Sequence, residues 1–214
     1  MRQYQQLPKY KEYQHAYHTT IKSHHRKNER YKQKRMKVLN HYGGKCKICD
    51  ENRYEFLVID HINGNGEKHR KEFGGGSYTL DWLIKNNFPD GYRVLCHNHN
   101  FPSDHYYKTN TPDTRHYQKL KHLVFEHYGT KCACCGESNP LFLSIDHING
   151  SGRKQMKELN FGRGIKFYRW LIKNNFPSGY RTLCLNCNSA MGHYGYCPHN
   201  KEIVMTMQAG GMLG

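Results

Sequence analysis

Long apolar runs are missing from this chain of 214 residues. No stretch approaches the roughly 18 residues that a membrane-spanning helix needs. The opening Met1-Arg2-Gln3-Tyr4-Gln5-Gln6 lacks the apolar core of a secretory signal. Acidic side chains are also scarce, 17 Asp and Glu against 33 Lys and Arg, and the formal charge is +16. So basic a chain suits a polyanionic partner, most simply nucleic acid; a merely soluble basic protein is the plainer alternative. Apolar residues make up 36% of the sequence and Trp occurs twice, so a unit of this chain has a thin core. Small domains of that kind need a staple, and a bound metal is one. Cysteine is not scarce, at nine residues. Without a signal segment, their Cys-x-x-Cys spacings favour metal thiolates in a reducing compartment over disulfides. The expectation is a soluble, cytoplasmic protein with no membrane partner.

Residues 1–40 form a basic arm in which eleven Lys and Arg face two Glu, with Tyr at 4, 10, 13, 17 and 31. Pro8 reads as an early break, and a helix is expected from about Lys22, with Tyr31, Met36 and Leu39 as a sparse apolar stripe. Gly43-Gly44 ends it. Like charges this dense are costly without a polyanion, so Arg26, Lys27, Arg30, Lys34 and Arg35 are candidate phosphate contacts. A solvated tail is the alternative.

An internal duplication sets the organisation. His41-Tyr42-Gly43 recurs as His127-Tyr128-Gly129, and the offset of 86 holds through Asp60-His61 and Asp146-His147. Two inserted residues then shift the offset to 88, and Trp82-Leu83-Ile84-Lys85-Asn86-Asn87-Phe88-Pro89 recurs as Trp170-Leu171-Ile172-Lys173-Asn174-Asn175-Phe176-Pro177. Residues 101–113 read as a linker, followed by a lead-in helix from about Thr114 to His127 with Leu120, Leu123, Val124 and Phe125 buried. In each copy a short strand runs into Asp-His (Phe56–Ile59, Leu141–Ile145) and a return strand starts at Tyr92 or Tyr180. The Trp-Leu-Ile-Lys segments read as helices with core tryptophans, stopped by Asn-Asn-Phe-Pro.

Two i, i+3 pairs on separate turns are what a tetrahedral zinc site requires. The first copy supplies Cys46, Cys49, Cys96 and His99, and the second Cys132, Cys135, Cys184 and Cys187. Closed four-ligand sites are structural, so two Zn²⁺ ions are expected to fold the protein rather than react. Cys134 is left as a spare thiol or a substitute ligand, and Cys197 with His199 are too few for a further site. Between the pairs lies Asp-His, and Asn100 or Asn188 directly follows the last ligand. Asp is a hard oxygen ligand for Mg²⁺ or Mn²⁺, the neighbouring His can take a proton from water, and the Asn amide oxygen can be a second ligand. His69, opposite Gln155, is either an accessory metal or phosphate group or a solvated loop histidine.

Asp-His-Ile followed by Leu-Cys-x-x-Cys-Asn resembles the HNH endonucleases, over roughly residues 41–100 and 127–199. The accompanying segments look like phage or mobile-element members, which places the protein in a bacterial or phage-infected cell. The resemblance implies an α+β fold: two tandem zinc-braced ββα-metal units behind a basic helical arm. The organisation becomes arm 1–40, first unit 41–100, linker and lead-in helix 101–126, second unit 127–199 and tail 200–214. It further implies that Asp60 and Asp146 hold the catalytic ion with Asn100 and Asn188, and that His61 and His147 are the general bases. Here Asn replaces the family's final His, and the family's middle Asn has no equivalent, Gly91 and Gly179 lying there. The implied partner is double-stranded DNA, cut by hydrolysis, with a monomer acting as a pseudo-dimer. Lys85, Arg93, Lys173 and Arg181 are candidate phosphate contacts. A zinc-containing nucleic-acid-binding protein without catalysis is the rival reading.

Overall fold

A computed structural model describes residues 8–101, 111–159 and 164–200. The start of the arm, most of the expected linker and the tail from Lys201 lie outside the described residues. The fold is α+β, with two small antiparallel two-stranded sheets. The chain divides into two compact units, Met1–Gly44 with Asp60–Arg93, and Lys45–Ile59 with Val94–Gly214. Among the described residues no helix is long and apolar enough to cross a membrane.

In the first unit α1 spans Pro8–His41, longer than the sequence suggested. Pro8 starts the helix rather than breaking it, because a first-turn N–H has no intrahelical partner and the proline φ is already helical. Among its described side chains burial is confined to the end: Val38 and Leu39 are buried, while Tyr31 and Met36 are exposed, so the expected stripe reduces to Leu39. Gly44 N donates to Leu39 O at 2.8 Å, with Gly43 and Gly44 at φ 106° and 67°. Strands β1 (Leu57–His61) and β2 (Tyr92–Cys96) pair, and the division between units passes through both. Their connection carries α2 (Gly66–Phe73) and α3 (Ser77–Lys85). After α3, Asn87 and Phe88 have φ of 54° and 55°. A bulky residue pays for that left-handed conformation, and Phe88 recovers contact by stacking on His41, centroids 4.2 Å apart.

The second unit contains α4 (His97–Asn100) and the second repeat. Helix α5 (Pro112–Tyr128) opens with Thr111 as cap, its hydroxyl accepting from Thr114 N at 3.2 Å. Val124 and Phe125 are buried as expected and Leu120 is half-buried, but Leu123 is exposed. Lys121 takes the inward position instead, donating from Nζ to Pro140 O at 2.6 Å. Burial pulls its pKa down to about 8. Strand β3 (Leu143–His147) pairs antiparallel with β4 (Tyr180–Cys184), Asp146 opposite Arg181 and His147 opposite Tyr180. Their connection carries α6 (Gly152–Glu158) and α7 (Ile165–Lys173). Asn175 and Phe176 repeat the left-handed pair, φ 54° and 52°, with Phe176 stacked on His127. Helix α8 (Leu185–Tyr194) follows β4 directly, giving strand, strand, helix. Trp82 and Trp170, expected in the core, are half-buried; the adjacent Leu83 and Leu171 are fully buried.

Helices α4 and α8 meet through a reciprocal exchange: Asn98 N donates to Asn186 Oδ1 at 3.0 Å, and Asn186 N to Asn98 Oδ1 at 2.9 Å. The two asparagines are equivalent in the repeat and both are buried. This bond pair brings both Cys/His groups into one compact unit.

Candidate metal centres and the Asp-His pairs

Each Cys-x-x-Cys turn is folded back by its own backbone. Cys46 N donates to Glu51 O at 2.7 Å and Asp50 N to Cys46 O at 3.1 Å; Cys132 N donates to Glu137 O and Gly136 N to Cys132 O in the same pattern. Asp50 (φ 58°) and Gly136 (φ 78°) supply the left-handed step. The second pair of ligands leaves the strand end and enters the next helix, Cys96 and Cys184 standing at the N-caps of α4 and α8. Cys46, Cys49, Cys96 and His99 thus converge, with Cys49 and Cys96 Sγ 3.9 Å apart and His99 Nδ1 3.2 Å from Cys96 Sγ. Cys132, Cys135, Cys184 and Cys187 converge likewise, Cys135 and Cys184 Sγ 3.8 Å apart. A tetrahedral ion with metal–sulfur bonds of about 2.3 Å requires sulfur separations of about 3.8 Å. Both groups could therefore hold a metal ion such as zinc. Burial pushes the Cys96 thiol up to about 12. The Cys132 thiol is driven down, because Cys184 and Cys187 donate to its sulfur.

A third group was missed by sequence reasoning: Cys134, Cys187, Cys197 and His199, whose ligand atoms all lie within 4.8 Å of one another. The only signal was the Cys-x-His step ten residues past Cys187, and nothing in the sequence said that the chain returns.

In the second repeat Arg181 Nε donates to Asp146 Oδ2 at 2.9 Å. Asn188 Nδ2 donates to Ser144 Oγ at 2.8 Å. Residues two apart on a strand share a face, so Ser144 brings Asn188 to the face of β3 that carries Asp146, with the amide oxygen turned away from the hydroxyl. His147 is on the other face. Its Nε2 is 2.6 Å from Gln155 Oε1, and Gln155 Nε2 donates to the Tyr180 hydroxyl. With the amide nitrogen committed to Tyr180, the amide oxygen accepts, so His147 carries its proton on Nε2 and keeps the Nδ1 lone pair. Gly152, the first residue of α6, lies against that nitrogen; a Cβ there would stand 2.9 Å from Nδ1.

The first repeat has the same design with two exchanges, one being Val58 where Ser144 stands. Arg93 Nε donates to Asp60 Oδ2 at 2.8 Å, and a Cβ on Gly66 would stand 3.0 Å from His61 Nδ1. The partner of His61 Nε2 is His69 Nδ1, at 2.8 Å. His69 is therefore no solvated loop residue: it is buried on α2, beside the rings of Phe73, Trp82 and Tyr92. Its Nε2 is buried with no hydrogen-bond partner. If His61 has the tautomer of His147, the His69 Nε2–H lies among aromatic rings, whose faces accept weakly. Asn100 closes α4 in the second unit and is half-buried.

Burial lowers the pKa of both His61 and His69, and for His61 the His69 ring adds to the shift. Both are neutral in the folded protein at neutral pH. Below the ordinary histidine value the unfolded chain binds more protons, so their contribution to stability is full above about pH 6.5 and falls as the pH drops. Protection of α2 and α3 against hydrogen exchange, taken relative to the intrinsic rate at each pH, should fall from pH 7 to pH 5, and His69→Gln, which copies the second repeat, should flatten that dependence. An unchanged slope in the variant removes His69 as its source.

The basic candidates divide into two sets. Arg26, Lys27 and Arg30 are exposed on α1, as are Lys85 and Lys173 at the ends of α3 and α7. Arg35 is half-buried, and Lys34 is held by Asp81 at 2.5 Å. Arg93 and Arg181 are each engaged by the Asp of their own repeat. No protein-family model matches the chain, nor does any curated protein or any solved structure, and its function has to be read from these sites.

Proposed function

We propose that the chain is a metal-dependent endonuclease of the HNH type that hydrolyses phosphodiester bonds of DNA. One observation carries the reading. In both repeats a strand-end histidine has Nε2 held by one polar neighbour, Nδ1 beside a glycine, and an Arg-held carboxylate next to it in sequence. A histidine placed only for packing needs none of these three features twice. The Cys/His groups of the paired knuckles would hold zinc and keep each strand-to-helix corner rigid.

His147 Nδ1 takes the proton from the attacking water, and Gln155 holds the ring in the tautomer that makes this possible. Arg181 orients the Asp146 carboxylate, and Ser144 orients the Asn188 amide so that its oxygen is presented. A carboxylate and an amide oxygen fit Mg²⁺ or Mn²⁺, which keeps most of its waters, and such an ion would neutralise the developing charge on the phosphate. Asp60, Arg93 and His61 take the corresponding roles in the first repeat, with His69 in place of Gln155. The products are a 5′ phosphate and a 3′ hydroxyl. The exposed cations of α1 supply the sequence-independent grip on double-stranded DNA.

The test is cleavage of supercoiled plasmid with Mg²⁺ or Mn²⁺ by protein of verified zinc content. Nicked or linear product, lost in the His61→Ala, His147→Ala double variant, supports the reading. Tight, salt-sensitive DNA binding by the wild type without any cleavage overturns it in favour of a zinc-containing binding protein. A sharper probe is Gly152→Ala. The backbone there accepts alanine, but the new Cβ displaces the imidazole, and a misplacement near 1 Å costs roughly 100-fold in rate. With Gly66→Ala added, the plasmid cleavage rate should fall by that order at unchanged zinc content.

A further inference from the structure

We propose that the second Cys/His group is one half of a dinuclear zinc–thiolate centre, in which the sulfur of Cys187 bridges two ions. The proposal rests on the zinc reading of the paired knuckles and is independent of nuclease activity. Cys187 belongs to two four-ligand groups at once, one with Cys132, Cys135 and Cys184, the other with Cys134, Cys197 and His199. Seven side chains thereby fill the eight positions of two tetrahedra, Cys187 serving twice. A thiolate has the lone pairs for this; an imidazole nitrogen does not.

The second group is assembled by a reversal of the chain. Helix α8 ends on Gly195, whose φ of 75° is the left-handed cap conformation, with Gly195 N donating to Met191 O at 3.0 Å. Tyr196 donates its hydroxyl to Glu55, and Asn200 N donates to Cys197 O, which fixes the returning segment. His199 Nδ1 then lies 3.3 Å from Cys187 Sγ and 3.4 Å from Cys197 Sγ. A tetrahedral zinc with one nitrogen and one sulfur ligand sets that edge at about 3.6 Å. Cys134 completes the group from inside the knuckle turn, where its thiol now donates to Asn200 Oδ1 at 3.5 Å. With Nδ1 given to the metal, His199 carries its proton on Nε2. Arg53, which lies 3.5 Å from that nitrogen, stays with Glu51 at 2.9 Å.

The first repeat is a built-in control. Ile48 stands where Cys134 would be and His99 where Cys187 would be, so it offers neither the extra thiol nor a bridging atom.

The experiment is zinc analysis of the full chain after extensive desalting, for the wild type, Cys187→His, and Cys197→Ser with His199→Ala. Cys187→His turns the second knuckle into a copy of the first, which keeps four ligands for one ion and removes the bridge. Three ions per chain in the wild type and two in each variant support the proposal. X-ray absorption of the wild type should then show a metal–metal distance near 3.7 Å, set by two bonds of about 2.3 Å to one sulfur, and lose it in Cys187→His. Two ions in the wild type and still two in Cys187→His overturn the bridge while leaving the paired knuckles standing. Fewer than two in the wild type removes the zinc reading itself, and the bridge with it.

Discussion

Zinc held by the Cys/His groups, as proposed above, should be essential to their unit, and removing it with a high-affinity chelator should unfold that unit. The core of that unit is partly made of the ligands: Cys46, Cys96, Cys132, Cys184, Cys187 and Cys197 are all buried. The other buried hydrophobic residues of the unit are Phe56, Leu57, Val94, Leu95, Val124, Phe125, Leu143, Tyr168, Leu171, Leu183 and Ala190, a small core for its length. A structural zinc contributes an apparent 10–16 kcal/mol, about the whole of the roughly 5–15 kcal/mol that holds a typical domain together. Loss of one ion should therefore suffice. The expected observation is a cooperative loss of far-ultraviolet circular dichroism on chelation, reversed by added Zn²⁺ under reducing conditions. Cys184→Ser should show the same loss without chelator, because it removes a ligand from the end of β4. A spectrum and melting temperature that stay unchanged in demonstrably metal-free protein would mean that the thiols are merely buried.

The duplication made much of this legible in advance. A second copy at fixed offset separates signal from accident: the i, i+3 ligand pairs and the return strands lie where the pattern puts them, while the first strand of each repeat starts one or two residues late and takes in Asp-His itself. What escaped were positions decided by tertiary geometry. Helix α2 has one apolar residue, Phe73, in eight, so its periodicity is silent, and His69 read as either an accessory metal or phosphate group or a solvated loop histidine, not as a buried partner of His61. Leu123, Val124 and Phe125 are consecutive, and at 100° per residue they cannot all face inward. The face that wins contains positions 121, 124 and 125, which buries Lys121 against expectation. Cys197 and His199 were set aside because a glycine cap, not a spacing, returns them to Cys187.

Single substitutions of the two strand-end histidines should each remove one of two cuts. Deleting a general base typically costs 10²–10⁴-fold, which on a gel is the loss of one reaction. The repeats are equivalent in what matters to the base: the ring is held at Nε2, a glycine guards the space beside Nδ1, and an Arg fixes the neighbouring Asp. The copies differ in the neighbours that hold these groups, His69 for Gln155 and Val58 for Ser144, and not in the base or the carboxylate. Wild type should convert supercoiled plasmid to linear product, whereas His61→Ala and His147→Ala should each stop at nicked circle. If one single variant loses all cutting and the other none, only one repeat is a working site. Cutting at the wild-type rate by the double variant would remove histidine from the reaction. The two nicking variants should also differ in acid. His61 is held by a group that itself titrates and His147 by an amide that does not, so cleavage left to the first repeat, in His147→Ala, should fall off more steeply as the pH drops through the histidine range. His69→Gln in the His147→Ala background should soften that fall, a change that a purely structural role for His69 would not produce.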